Sequence, residues 1–413
     1  MIQLRIKNFG PIRQGMAAND GWLEFKRVTV FIGNQGSGKS TLAKLFSTFS
    51  WMEKALVRGD YDQKWFERKG RLESRLLTYH RLEHYLHPDE LDTSVLEYKG
   101  NAFHISYLHG QLHISPNATR GYQLPQVMYV PAERNFIAYV RHPKELKLSS
   151  EALKEFLTEY EKAKANMGGA VQLPINNSEL EYDKLNDILN LKGQGYKLRL
   201  TDASSGFQSL VPVYLVSRHL AQTVQLQEKE QQTMSEKERE RFSKWATNIF
   251  ANETLTEEQQ RAAISSLAAR FNKTAFVNIV EEPEQNLFPS SQWEILKSLL
   301  ECNAQGAHNR LVLTTHSPYI VSYLSLCVQA YQLHRKLQTR GRTDLLSKLT
   351  QIVPMHAMID PHDLAIYQSD EVAGTVTPLS TFEGIPSDSN MLNHFLRQGN
   401  DLFDQLLALE EEI

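Results

Sequence analysis

Cysteine is scarce in this chain: Cys302 and Cys327 are the only two among 413 residues. Two thiols cannot build a disulfide framework, which points to a reducing, cytoplasmic setting. Long apolar runs are missing too; none approaches the roughly 20 residues that a bilayer crossing needs, so no membrane partner is expected. The N-terminus, MIQLRIKNFG, is charged early and has no long apolar core, unlike a secretory signal. An excess of one charge sign is also absent, since 45 Lys and Arg against 48 Asp and Glu leave a formal net charge of −3. Without a global basic field, any nucleic-acid contact has to use a local patch. What remains is a globular composition, 41% hydrophobic and 23% charged, long enough for one large or two ordinary domains.

Against that plain background one stretch stands out. Residues 28–46 read VTVFIGNQGSGKSTLAKLF. Val28, Val30, Phe31 and Ile32 form a short apolar run without helical period, which predicts a buried strand. Gly33, Asn34, Gln35, Gly36, Ser37, Gly38, Lys39 and Ser40 follow, and helical spacing begins at Thr41. Strand, glycine-rich turn and helix are the context that a G-x-x-x-x-G-K-[ST] phosphate loop requires. The glycines permit backbone conformations in which successive N–H groups converge on phosphate oxygens, helped by the positive end of the following helix. Lys39 supplies a point charge for the β- and γ-phosphates, and Ser40 a hydroxyl ligand for Mg²⁺.

Far downstream, AFVNIV reads as another buried strand and delivers Glu281-Glu282-Pro283-Glu284 at its carboxyl end. There one acid can hold a metal shell while the next polarises an attacking water. RLVLTT then predicts a core strand ending in His316-Ser317-Pro318, where an imidazole can reach a γ-phosphate or the water. Between the two halves lies TDASSGFQS, with an apolar helix expected from about Leu210 and Ser204 or Ser205 as its cap.

The rest of the chain is less explicit. Ile2, Leu4 and Ile6 alternate with polar residues, predicting a half-buried edge strand, and a second strand is expected over residues 22–25. Residues 51–87 interleave both charge signs with aromatics, which suits a partly exposed helical lid. Within it His80, His84 and His87 are spaced to share a helical face, open to a zinc reading or a solvated one. Residues 94–114 alternate, with Gly110 in a hairpin turn. A strand at 127–130 ends in Glu133-Arg134, placed either for a ligand or as a structural ion pair. Residues 146–166 predict a charged helix, and short β stretches are expected near 180–182 and 196–200. Residues 222–270 read as a projecting helical hairpin. After His316 come a strand near 364–367, a turn at Gly374, a second strand near 375–379 and an amphipathic helix from Met391.

GNQGSGKS, SSGFQS, FVNIVEEPEQNLFP and TTHSP, in this order, resemble the ABC-type ATPases of the SMC, RecF and overcoming-lysogenization-defect group. The opening RIKNFGPI is similar to that group's first strand. The resemblance implies an α/β fold, an ABC-type P-loop ATPase with a mixed central sheet, N-terminal antiparallel strands and inserted helical lobes. On it, residues 1–50 and 93–140 belong to the ATPase core, 51–92 to a helical lid, and 141–195 to an insertion. Residues 196–220 carry the signature, 221–272 the charged hairpin, 273–350 the core with the acids and histidine, and 351–413 a hairpin and helix. It implies ATP and Mg²⁺ as cofactors, with Glu281 and Ser40 at the metal, Glu282 as catalytic base and His316 as γ-phosphate sensor. Ser205, Gly206 and Gln208 fall on the signature that completes a second subunit's site, so the active form is a homodimer or higher homo-oligomer. Departures from the pattern are Glu281 where Asp is commoner and Phe207 at the second signature glycine; both point to slow turnover. The loop glutamine is unplaced, with Gln123 and Gln126 in the right region. YVPAERN and EEPE…LFP are similar to the ATPase subunits of bacterial anti-phage systems such as PARIS and Septu, which implies control of a separate effector, a nuclease. The alternative is an SMC/RecF-like DNA-maintenance ATPase, using Arg58, Lys64, Arg68, Lys69, Arg71 and Arg75 as a DNA patch.

Overall fold

The computed structural model describes residues 1–86, 93–117, 122–140, 143–145, 147–229 and 273–411, with a few isolated positions between 244 and 260. Strands β1 (Ile2–Lys7), β2 (Gly15–Met16) and β3 (Trp22–Phe25) lead into β4 (Val28–Gly33). Ile2, Leu4 and Ile6 of β1 point inward, as their alternation predicts. β1 pairs antiparallel with β3 and with β5 (Val95–Lys99), and β6 (Phe103–Leu108) and β7 (Gln111–Pro116) complete a five-stranded antiparallel sheet. The β6–β7 turn places His109 and Gly110 at φ 51° and 72°, the paired positive values a tight hairpin needs.

Helix α1 (Lys39–Arg58) leaves the phosphate loop and ends where Gly59, at φ 75°, turns its N–H back onto the Ala55 and Leu56 carbonyls. The helix therefore runs well past Trp51. The segment beyond it packs more closely than a partly exposed composition suggests: α2 (Gln63–Phe66), a π turn at Leu72–Leu76 and short 3-10 turns bury Phe66, Leu72, Leu77 and Leu82 in the same core as α1. Tyr61 and Phe66 face inward while Asp62, Lys64, Arg68 and Lys69 are exposed, so interleaved composition concealed a packed face. The three histidines do not share a helical face either. His80 is buried, Arg81 turns left-handed at φ 60°, the His84 side chain is 92% exposed, and His87 lies outside the described residues. Among the described residues no cluster could hold a metal through three His, Cys, Asp or Glu side chains.

The central sheet is built late in the chain. After β8 (Pro125–Val130) come α3 (Asn135–Tyr139), α4 (Glu151–Ala165) and a four-stranded antiparallel sheet of β9 (Val171–Gln172), β10 (Glu179–Asp183), β11 (Ile188–Gly193) and β12 (Tyr196–Arg199). Then follow α5 (Ser205–Lys229), β13 (Ala275–Glu281), α6 (Pro289–Ala304), β14 (Arg310–Thr315), α7 (Pro318–Thr339) and α8 (Thr343–Ile352). β15 (Leu364–Asp370), β16 (Thr375–Pro378) and α9 (Met391–Glu410) close the chain. The sheet order is β2-β16-β15-β4-β14-β13-β8, with β15 parallel to β4 and antiparallel to β16. This is the expected α/β class: a mixed central sheet, N-terminal antiparallel strands and inserts. The C-terminal hairpin is a structural member of that sheet, directly beside the phosphate-loop strand.

Strand alternation divides the interior in two. Val28, Val30 and Ile32 face a core shared with α4, α5, α6 and α7, whereas Phe31 faces α1 and the antiparallel sheet. Phe25 stacks on Phe46 at 3.9 Å between ring centroids, tying β3 to α1. Most of residues 230–272, where the helical hairpin is expected, lies outside the described residues; α5 reaches Lys229.

Candidate functional site at the carboxyl edge of the central sheet

The phosphate loop is shaped by what its glycines must avoid. At Gly33 a β-carbon would come within 2.6 Å of the Ser369 carbonyl and the Ser37 hydroxyl, and at Gly38, φ 96°, within 2.7 Å of Ile12. Only glycine lets the chain thread between β15 and the loop's own side chains. Asn34, Gln35 and Gly36 are exposed at the tip, while Ser37, Lys39 and Thr41 are buried and Ser40 is half-buried in the first turn of α1. The Lys39 ammonium donates to the Asn34 carbonyl at 2.7 Å, closing the loop on itself. Burial lowers its pKa to about 8, against the opposing pull of Glu282, Glu284, Glu371 and Glu281. Those four carboxylates therefore share one electrostatic environment with the loop lysine. Glu371, on the β15–β16 turn, also accepts from the Asn34 amide at 2.8 Å. No local motif marks it; only the pairing of β15 with β4 brings it there.

β13 is buried throughout and delivers Glu281 and Glu282 in different directions. Glu281 is 4% exposed; its Oε2 accepts from the Ala132 N–H at 3.2 Å, and its Oε1 is buried with no hydrogen-bond partner. Glu282 takes a left-handed φ of 45°, with its N–H held by the Thr314 carbonyl, so the next side chain swings out of the strand plane. Its Oε1 lies 3.4 Å from His316 Nε2, and the imidazole contact is the main influence holding the carboxyl below its usual pKa. Glu284 fixes the histidine loop by accepting from the Thr315 hydroxyl and the His316 N–H at 2.7 and 2.8 Å. Ser317 caps α7 by accepting from the Tyr319 N–H.

Arg134 is the residue whose role sequence left open between ligand and ion pair. It is fully buried and donates to four main-chain carbonyls: Ser209 at 3.1 Å, Pro131 at 3.3 Å, and Glu281 and Glu282 at 2.6 Å each. It is a staple joining the β8 loop, α5 and the end of β13. Burial lowers its pKa to about 10. Glu133 instead lines a cavity with Lys44, His80, Tyr129 and Glu281. Gln126 is buried within β8, and Gln123 precedes it.

α5 begins at Ser205, five residues before the expected Leu210. The shift arises because Phe207 and Gln208 are buried as the first turn of the helix rather than a loop. Ser204 and Ser205 are exposed at its N-terminus, and Gly206 lies against the Asn286 carbonyl, which a β-carbon would meet at 2.9 Å. Gln208 turns back to donate to the Leu200 and Thr201 carbonyls at 3.4 and 3.0 Å. Its side chain braces the preceding turn.

No protein-family model matches the chain, and no curated protein matches it. Among solved structures it is similar to an SMC head domain from Thermotoga maritima, at TM-score 0.37 and 12% identity over 92% of this chain and 98% of that one. A second is an Smc head bound to the C-winged helix domain of ScpA, at TM-score 0.34 and 11% identity over 92% and 97%. A third is an Smc head with an extended coiled coil bound to the C-terminal domain of ScpA derived from Pyrococcus furiosus, at 0.32 and 10% over 98% and 100%. At these scores the chemistry of the site rests on this chain's own residues and distances.

Proposed function

We propose that the chain is a slow ATPase of the ABC type that binds ATP with Mg²⁺ and works as a nucleotide-dependent switch. The observation that carries this reading is the convergence of Lys39 with the β13 acids beside the Glu282–His316 pair. The Ser37 hydroxyl supports it, being buried in the loop without a partner and suited to a phosphate oxygen. The orphaned Glu281 Oε1 and the Ser40 hydroxyl are oxygen donors of the kind that suits Mg²⁺, which would neutralise charge on the phosphates. In the reaction Glu282 accepts a proton from the water that attacks the γ-phosphorus, and the bond to the ADP oxygen breaks. His316, held by Glu284, donates to the γ-phosphate. A carboxylate below its usual pKa is a weak base, which agrees with slow turnover.

The exposed Ser205 and half-buried Gly206, at the positive end of α5, are suited to the γ-phosphate of a second copy, with Gln208 as support. ATP would then be shared between two chains. In the anti-phage reading this assembly holds or releases a separate nuclease effector; co-purification of the neighbouring gene product, lost when the trigger is present, tests it. The DNA-maintenance reading has weaker footing, because Arg58 is buried and paired with Asp60 and Arg71 stacks on Trp65. Lys64, Arg68 and Lys69 remain exposed. A salt-sensitive, ATP-dependent shift of duplex DNA would favour that reading, and no shift at low salt would remove it.

Replacing Lys39 with alanine tests the core of the proposal. Removing one charge-assisted phosphate contact, worth about 3 kcal/mol, should weaken ATP binding by about 100-fold. Isothermal titration calorimetry reads the result directly, and equal affinity for both proteins would end the ATPase reading.

A further inference from the structure

Beyond its first turn, where Met391 and Leu392 pack against the main core, α9 is a free-standing helix. None of its residues is buried, and every residue from His394 to Glu411 is exposed. Yet its sequence, MLNHFLRQGNDLFDQLLALE, is strongly amphipathic, and Phe395, Leu402 and Leu406 are 55%, 55% and 63% exposed. Helices of this length draw most of their stability from packing an apolar face, so α9 lacks the contact its sequence is written for. It is nevertheless firmly rooted. Asn390 caps it by accepting from the Asn393 N–H, and the Met391 N–H donates to Gln368 on β15 at 3.0 Å. Gln368 is in register with Ile32 of β4, so the helix springs from the same sheet edge as the phosphate loop.

The geometry points to a second copy of this chain as the occupant, with the two α9 helices antiparallel about a two-fold axis near Asn400 and Asp401. Leu392, Phe395, Gly399, Leu402, Leu406 and Leu409 alternate at three- and four-residue steps, the seam of a helix pair. Folded about that axis, the seam is self-complementary: Phe395 meets Leu406 and Gly399 receives Leu402, while Leu409 lies at the edge, opposite Leu392, which is half-buried against the main core. Gly399 is otherwise hard to explain, since it weakens the helix and a β-carbon there would meet open space in the single chain. As a notch for Leu402 of the other copy it has a purpose. Charge favours the same arrangement, because His394 and Arg397 occupy the first half and Asp401, Asp404, Glu410 and Glu411 the second. Antiparallel pairing sets basic half against acidic half and opposes the helix dipoles. Parallel pairing would stack the acids and leave a hole between two copies of Gly399. Since this surface does not depend on ATP, it gives the chain a self-association contact beyond any nucleotide-mediated one.

Sedimentation equilibrium of the full chain carrying Lys39→Ala, without nucleotide, isolates this contact from ATP-dependent pairing. The parent should show a two-chain mass that dissociates on dilution, and Leu402→Glu should show a one-chain mass with unchanged circular dichroism. Gly399→Leu should weaken pairing although it favours the helix, and Gly399→Leu with Leu402→Ala should restore it by exchanging knob and notch. A one-chain parent at every concentration, or a Leu402→Glu variant that still pairs, overturns the proposal. Tighter pairing by Gly399→Leu also overturns it, because only the parallel arrangement gains from filling that position.

Discussion

Glu282→Gln is expected to lower ATP turnover by about 10²- to 10⁴-fold, the range for loss of a general base, without weakening nucleotide affinity. The amide is isosteric, so the left-handed turn at residue 282 and its N–H bond to the Thr314 carbonyl should persist. What disappears is the proton acceptor 3.4 Å from His316. A carboxylate opposite a γ-phosphate also repels it, and the neutral amide removes that repulsion. The ATP-bound assembly should therefore accumulate. Phosphate release and size-exclusion chromatography with and without ATP measure both consequences on one preparation. Undiminished turnover would remove Glu282 from the base position, and a single peak that ignores ATP would count against the shared site.

The largest stability effect is expected at Arg134. Its guanidinium is 0% exposed and satisfies carbonyls from three separate parts of the chain. Arg134→Leu leaves those acceptors buried and unpaired and removes one of the two cations beside Glu281, Glu282 and Glu284. Breaking such a buried network costs about 3–5 kcal/mol, a large share of the roughly 5–15 kcal/mol that stabilises a domain. Arg134→Lys should be intermediate, because a single ammonium cannot span the fork of acceptors. Thermal and urea unfolding give the order parent, lysine, leucine. A leucine variant as stable as the parent would show that the staple contributes little, whereas a stable variant with lost turnover would assign it to positioning alone.

How much of this site was legible beforehand differs by residue. The phosphate loop was readable because strand, glycines, lysine and helix are contiguous, and local sterics decide them. Glu282 and His316 could be singled out because each follows a run of buried β residues, although their 3.4 Å approach depends on β13 and β14 lying side by side. The onset of α5 at Ser205 precedes the apolar run at Leu210 because Phe207 and Gln208 are already buried in its first turn, a packing effect the local pattern does not carry. Over residues 51–87 a composition of mixed charge and aromatics does not say which face is covered. Arg134 and Glu371 could not be assigned at all, since their partners lie far away in the chain.

The sequence by itself determined the local devices: the turn at Gly33 to Ser40, the buried strands, the capped helices and the apolar seam of α9. These depend on φ preference, periodicity and capping, which act over a few residues. Only the tertiary structure decided what those devices face. It placed β15 beside β4, bringing Glu371 to the phosphate loop, and joined the β8 loop, α5 and β13 through one guanidinium. It also left α9 bare. Such outcomes depend on which distant surfaces bury one another, and pairing over hundreds of residues is governed by packing and desolvation rather than by local preference.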